Sequence, residues 1–209
     1  MNEQGSGAWL RQRRGKVTAS RIADIVAKTK SGPSASRANS LAQLIAERLP
    51  RSVTETFVTT AMQHGIEMED AAASAYEFYA SAALERVGFV DHPTIPMTGA
   101  SPDRLVGADG LVEIKCPTSQ THIETLLSGN VPGKYHPQMY WQLDCTGRKW
   151  CDFVSYDPRM PEELRMFVKR VPRDDEAIAE LQTAVRDFLS EIDARIVALT
   201  AVRDKERAA

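Results

Sequence analysis

Apolar residues recur every three or four positions across the last quarter of the chain. Ile178, Leu181, Val185, Phe188, Ile192, Ile196 and Leu199 fall on one stripe at a helical period. A long helix is therefore expected from about Asp174, with residues 203–209 as a frayed tail. Leu41, Leu44, Ile45 and Leu49 make a second stripe, predicting a helix over 36–49. A shorter helix is expected to start at Thr18 or Ser20 and run to about Ala27. A third fits residues 59–83, interrupted or bent near Gly65. Between the helices the period changes. Residues 85–91, 97–106, 111–116, 150–156 and 164–171 read as strands, and 119–127 and 134–145 as helices. Helices, then strands with intervening helices, then a closing helix predict an α/β (α+β) fold with a mixed central sheet.

Composition narrows the classes. The chain has 209 residues and a mass of 23.1 kDa, enough for one domain with a sizeable core, and 1–8 and 203–209 read as flexible tails. No apolar run is long enough to span a membrane, and residues 1–7 lack a secretory apolar segment. Cys116, Cys145 and Cys151 form no C-x-x-C pair, which argues against a disulfide scaffold or zinc ribbon and fits a reducing cytoplasm. A net charge of -2 means that any polyanion must be met by a local basic patch.

The chemistry concentrates in Ser101-Pro102-Asp103, then Glu113-Ile114-Lys115. Glu113 and Lys115 are two apart in an apolar strand and share a face, with Val112, Ile114 and Cys116 on the other. A loop of three residues, 108–110, with Gly110 left-handed, pairs Asp103 with Lys115 and brings all three charged residues to that face. A two-residue Asp-Gly turn would place Asp103 on the wrong one. Two carboxylates and a lysine at one spot suit a divalent-metal phosphodiesterase: hard oxygen ligands hold Mg2+ or Mn2+, the cation activates water, and lysine orients it or offsets transition-state charge. The simpler alternative is a surface salt bridge.

Other residues join this core. Glu69 falls on the apolar stripe Met62, Gly65, Ile66, Ala72, Ala73 and Tyr76, while Glu67, Asp70 and Glu77 fall opposite. A carboxylate there needs a partner, either a metal or an arginine at the helix edge. Arg11, Arg13, Arg14, Lys16 and Arg21 make an N-terminal basic patch near the hydroxyls of Thr18 and Ser20. It reads as a phosphate pocket or a solvated face. Gln138 and Gln142 share a helix face, and only Gln138 is taken as a site residue. Trp9 reads as core, and His64, His92, His122 and His136 as structural or phosphate-contacting.

These motifs together resemble the lambda exonuclease (YqaJ-type viral recombinase) family of PD-(D/E)xK nucleases. The resemblance spans nearly the whole chain. It rests on W-x3-R-x-G-x-V-T-A-S at 9–20, G-x3-E at 65–69, S-P-D at 101–103, E-I-K-C-P-T-S at 113–119, Q-x3-Q at 138–142 and Y-D-P-R-M at 156–160. It implies a restriction-endonuclease-like core and a Mg2+-dependent 5′-to-3′ exonuclease on double-stranded DNA, with Mn2+ as an alternative and two ions per site. Such an enzyme prefers 5′-phosphorylated ends, releases 5′-mononucleotides and leaves 3′ overhangs. It works as a homotrimeric ring with a single-strand annealing protein in phage-type recombination. By position, Asp103, Glu113, Glu69 and the carbonyl of Ile114 become metal ligands, and Lys115, with Gln138 beside it, the catalytic group. Arg13, Ser20 and Ser101 become 5′-phosphate contacts. The chain departs from the lambda enzyme at Thr121, where that enzyme has an arginine, and His122 is the candidate replacement. The rivals are another PD-(D/E)xK endonuclease or resolvase, and a non-catalytic DNA-end-binding protein.

Overall fold

The computed structural model of the chain describes residues 3–30, 32–49 and 60–208, without the side chains of 60–67 and 206–208. Its elements, in chain order, begin with α1 (Gly7–Arg13), β1 (Val17–Thr18), α2 (Ile22–Val26), β2 (Lys28–Thr29), β3 (Gly32–Pro33), α3 (Ala35–Arg48) and α4 (Thr60–Ala80). Then come β4 (Leu84–Glu85), β5 (Val90–Asp91), β6 (Thr98–Ala100), β7 (Arg104–Val106), β8 (Gly110–Lys115), α5 (Ser119–Ser128) and α6 (His136–Thr146). The chain closes with β9 (Trp150–Tyr156), β10 (Met166–Pro172) and α7 (Asp175–Ala208).

The main sheet has five strands in the order β10-β9-β8-β7-β4. Its neighbours are antiparallel except β8 and β9, which are parallel and joined through α5 and α6. A parallel pair needs such a crossover, so the mixed sheet follows from helices lying between these two strands. On one face α4 packs Ala72, Ala73 and Tyr76 against Val106, Val112, Ile114 and Val154. On the other, α6 packs Met139 and Leu143 against Leu111, Cys151 and Phe153. The far side of α6 carries Trp141 and Cys145 into a helical layer with Ile22, Leu44, Val185 and Phe188. Helix α6 is thus covered on two sides, so it lacks a single polar face. The arrangement is the α+β fold with a helix-flanked mixed sheet that the pattern predicts.

Two expected strands are each divided between sheets. Residues 85–91 supply β4 and β5, and 97–106 supply β6 and β7, with β5 and β6 in a small sheet of order β1-β6-β5. The second break falls at Ser101-Pro102-Asp103, because Pro102 has no N–H to extend a ladder. Helix α4 runs without interruption through Gly65. Met62, Gly65, Ile66, Glu67 and the side chain of His64 lie outside the described side chains. Residues 1–8, expected as a free tail, enter α1 at Gly7. There the Ser6 hydroxyl accepts from the Trp9 N–H, and the Gln4 amide donates to the Val87 and Pro102 carbonyls at 2.9 and 2.8 Å. Helix α7 continues to Ala208, through most of the stretch expected to fray. Neither Thr18 nor Ser20 caps a helix; their hydroxyls meet at 3.2 Å. The three cysteines are free thiols, and no helix among the described residues is long and apolar enough to cross a membrane.

Candidate active site

The hairpin between β7 and β8 decides which side chains meet. Val106 pairs with Gly110 and Arg104 with Val112, so the loop is 107–109. It is three residues long, as expected, but it is shifted by one position. Gly107 takes the left-handed conformation with φ +50°, and Gly110 lies inside β8. A Cβ on Gly110 would come within 2.1 Å of the Trp150 ring, so the close approach of that ring requires glycine. The register differs from the expected one by two residues, an even number, so every side chain keeps its face. Asp103 projects beside Glu113 rather than Lys115, and all three remain on the α6 face.

Glu113 is wholly buried. Its Oε1 accepts from the Gln138 amide and its Oε2 from the Gln142 amide, each at 2.6 Å, and Lys115 forms an ion pair with it. Gln142, not taken as a site residue from the sequence, is 0% exposed and is the second arm of a clamp. The signal was present, since residues four apart on a helix project together. Lys115 also sits 5.3 Å from the centre of the Tyr135 ring. Burial opposes its charge, but the Glu113 and Asp103 carboxylates outweigh burial and hold the ammonium above its usual range. This is a buried pair, not a surface salt bridge.

Asp103 accepts the Ile114 N–H on Oδ2 at 2.6 Å. In an extended strand the Ile114 carbonyl faces that same edge, where β7 has ended. Burial and the neighbouring Glu113 push the Asp103 carboxyl well above the usual range, against the pull of Lys115; Glu69 adds to the push. Closely placed carboxylates of this kind are what a divalent cation neutralises, and their hard oxygens suit Mg2+ or Mn2+. Glu69 arrives from α4, across the sheet from Glu113. It shares with Asp103 a pocket of about 250 Å³ also lined by Arg86 and Arg104. Its Oε1 accepts from Arg104 at 2.7 Å, so both partners weighed for it, arginine and metal, are compatible with one carboxylate. Among the described residues no three His, Cys, Asp or Glu side chains already converge in ligand geometry. Asp103 and Glu113 are brought together, while Glu69 is held beside them by arginine.

Of the expected phosphate contacts, Arg13 and Ser101 meet directly, while the Ser20 hydroxyl lies against that of Thr18. Strand β1 runs parallel to β6, with Val17 opposite Thr98 and Thr18 opposite Gly99. Both chains therefore emerge at the same end, at Ser20 and Ser101. Arg13 donates to the Ser101 hydroxyl at 3.1 Å, and the Trp9 indole N–H donates to the same oxygen at 2.9 Å. The Arg13 guanidinium lies 4.1 Å from the centre of the Trp9 ring. Trp9 is thus a half-buried support for this pocket rather than a core residue. Burial and Arg21 lower the Arg13 pKa to about 10, so it stays charged at neutral pH, and among the described residues no carboxylate pairs with it directly. Ser101 to Asp103 is the segment that crosses from the small sheet to the large one, so the Arg13–Ser101 contact and the carboxylates are adjacent by construction. His122 cannot replace the missing arginine. It is fully buried, with Nδ1 at 2.8 Å from the Ser155 hydroxyl and Nε2 at 2.8 Å from the Leu164 carbonyl.

Residues 8–149 match the YqaJ-like viral recombinase domain. The chain belongs to the YqaJ-like viral recombinase family. Among solved structures, this YqaJ-family chain is similar to the alkaline exonuclease LHK-Exo from Laribacter hongkongensis, at 46% identity over 98% of this chain and 100% of that one, with a TM-score of 0.88. The complex of LHK-Exo with dAMP matches at the same identity and coverage, with a TM-score of 0.89. A phage-related exonuclease from Haemophilus somnus shares the fold at 15% identity, over 88% of this chain and 96% of that one, with a TM-score of 0.69. No curated protein matches the chain.

Within this family frame two residues escaped the sequence reading. Gln142 had a usable signal, its spacing from Gln138. Arg104 had none, because a single arginine after Asp103 in a three-residue strand carries no period.

Proposed function

We propose that this YqaJ-family exodeoxyribonuclease degrades double-stranded DNA from 5′-phosphorylated ends, in the 5′-to-3′ direction. It releases 5′-mononucleotides and leaves 3′ overhangs for recombination by strand annealing. The observation that carries the reading is the adjacency of two clusters on one short segment. Ser101 accepts from the Arg13 guanidinium, and two residues later Asp103 lies beside Glu113 and Lys115.

The Arg13 guanidinium and the Ser20 and Ser101 hydroxyls bind the terminal phosphate and so place the first phosphodiester at the carboxylates. A divalent cation, Mg2+ or Mn2+ and two per site, held by Asp103, Glu113, Glu69 and the Ile114 carbonyl, would polarise the scissile phosphoryl group and acidify the attacking water. Lys115, kept charged, orients that water and offsets the charge that builds on the phosphoryl oxygens. Gln138 and Gln142 fix the Glu113 carboxylate so that little reorganisation is needed during the reaction. A chain of this size cannot surround a duplex alone. A homotrimeric ring acting in the cytoplasm with a single-strand annealing protein completes the proposal.

The test is digestion of linear duplex carrying 5′-phosphate or 5′-hydroxyl ends, with a covalently closed circle alongside. The expected result is Mg2+-dependent release of 5′-mononucleotides, faster from phosphorylated ends, with the circle intact. Cleavage of the circle would instead mark an endonuclease, and retention of ends without loss would mark a DNA-end-binding protein.

A further inference from the structure

Arg104 follows Asp103 in sequence but points to the opposite face of the sheet, towards α4. Only 5% of it is exposed. Its Nη1 donates to Glu69 Oε1 at 2.7 Å and to the Asp103 carbonyl at 2.6 Å, and its Nη2 donates to Asp70 Oδ1 at 2.7 Å. Arg86 pairs with the same Asp70 oxygen, Oδ1. Glu69 has a different situation. Its side chain is 31% exposed at the rim of the pocket, and Arg104 supplies its one hydrogen bond among the described residues.

We infer that Arg104 is a positioning residue that aims Glu69 at the edge of Asp103 and thereby sets the affinity of the divalent-cation site. The inference rests on the metal-dependent reading above. Its geometric basis is that one nitrogen touches both the Glu69 carboxylate and the Asp103 backbone, so the α4 ligand is registered to the β7 ligand. The bond occupies Glu69 Oε1 and leaves Oε2 for a cation. A buried guanidinium is costly without full pairing, and here one of its nitrogens is committed to Glu69 and the Asp103 carbonyl. The planar fork matters as well as the charge. A lysine retains the charge but cannot span Glu69, the Asp103 carbonyl and Asp70 at once.

The experiment is Mn2+ binding without DNA, read by electron paramagnetic resonance, on the unmodified chain, Arg104→Lys, Arg104→Gln, Glu69→Gln and the Arg104→Lys/Glu69→Gln double variant. Far-UV circular dichroism identifies the folded variants, and Arg104→Gln carries the test if Arg104→Lys does not fold. Arg104→Lys and Arg104→Gln are each expected to weaken Mn2+ binding about tenfold or more, the usual effect of removing a group that orients a ligand. In the Glu69→Gln background Arg104→Lys is expected to add nothing. Parent-like affinity of Arg104→Lys, tighter binding by Arg104→Gln, or losses that add in full in the double variant would each overturn the inference. Failure of the unmodified chain to bind Mn2+ would instead overturn the metal reading itself.

Discussion

Glu113 is a buried carboxylate whose two oxygens are each met by a different glutamine, with a lysine beside them. Each contact has a separable consequence. Lys115→Ala is expected to reduce cleavage by orders of magnitude while DNA binding, measured by electrophoretic shift, survives. Gln142→Leu removes one arm of the clamp but no reacting group. The expected outcome is a fall in kcat of about 10- to 100-fold with KM for DNA little changed, measured in steady-state digestion. On α4, Glu69 and Asp70 are chain neighbours with different surroundings, one at the pocket rim and one 69% exposed. Glu69→Ala should abolish most activity, whereas Asp70→Ala should change it by less than about threefold, since Asp70 faces solvent and Arg104 keeps its bonds to Glu69 and the Asp103 carbonyl. Equal activities of the two variants would defeat the assignment of Glu69.

At the scale of elements, the loop after β9 fastens the loop after β8. Asp157 is fully buried and accepts from the Arg159 backbone and guanidinium, while Arg159 also donates to the Pro117 carbonyl at 3.2 Å. Burial alone would raise the Asp157 carboxyl, but the hydrogen bonds from Arg159 and Ser119 outweigh it and hold the pKa at about 2. A carboxyl depressed in the folded state stabilises the fold above its unfolded value, near 4, and loses that contribution as pH falls towards 2. Asp157→Asn should therefore lower stability by about 1–2 kcal/mol at neutral pH, measured by urea unfolding. The gap between variant and parent should close between pH 4 and pH 2. A gap that persists unchanged at pH 2 would mean that the Asp157 charge is not its source. Tyr76, Asp152 and Arg170 make a comparable tie between α4 and the sheet, with the Tyr76 hydroxyl 2.7 Å from Asp152. Both ties fasten elements of the frame around the carboxylates.

At the scale of the whole molecule, end recognition and assembly have separate consequences. Arg13→Ala should slow digestion of 5′-phosphorylated duplex and shrink its advantage over 5′-hydroxyl duplex. A backbone contact would instead weaken both alike and reduce the salt slope of binding by about one unit. Phosphate preference unchanged in Arg13→Ala would remove the pocket assignment and leave the carboxylate site standing. Light scattering at working concentration is expected to give three times the 23.1 kDa chain mass, and a monomer mass would exclude the ring.

By itself the sequence determined what depends on local period and on parity. The stripe of α7, the strand at 150–156 and the shared face of Glu113 and Lys115 follow from spacings of 3.6 and 2, which neighbouring elements do not alter. Parity also protected the site from an error of register, because a shift by two residues moves a pairing without changing a face. The family motifs were legible for the same reason: they are short and local. Tertiary structure alone decided the rest. It divided two expected strands between sheets, one of them at Pro102, which period cannot reveal because both halves are extended. It buried His122 and Gln142, whose partners come from β9, the turn before β10 and β8 rather than from their own helices. It also joined Glu69, Arg104 and Asp103 across the end of the sheet. The Glu69–Arg104 contact links residues 35 apart in the chain, and only the packing of α4 against β7 and β8 brings them within a hydrogen bond.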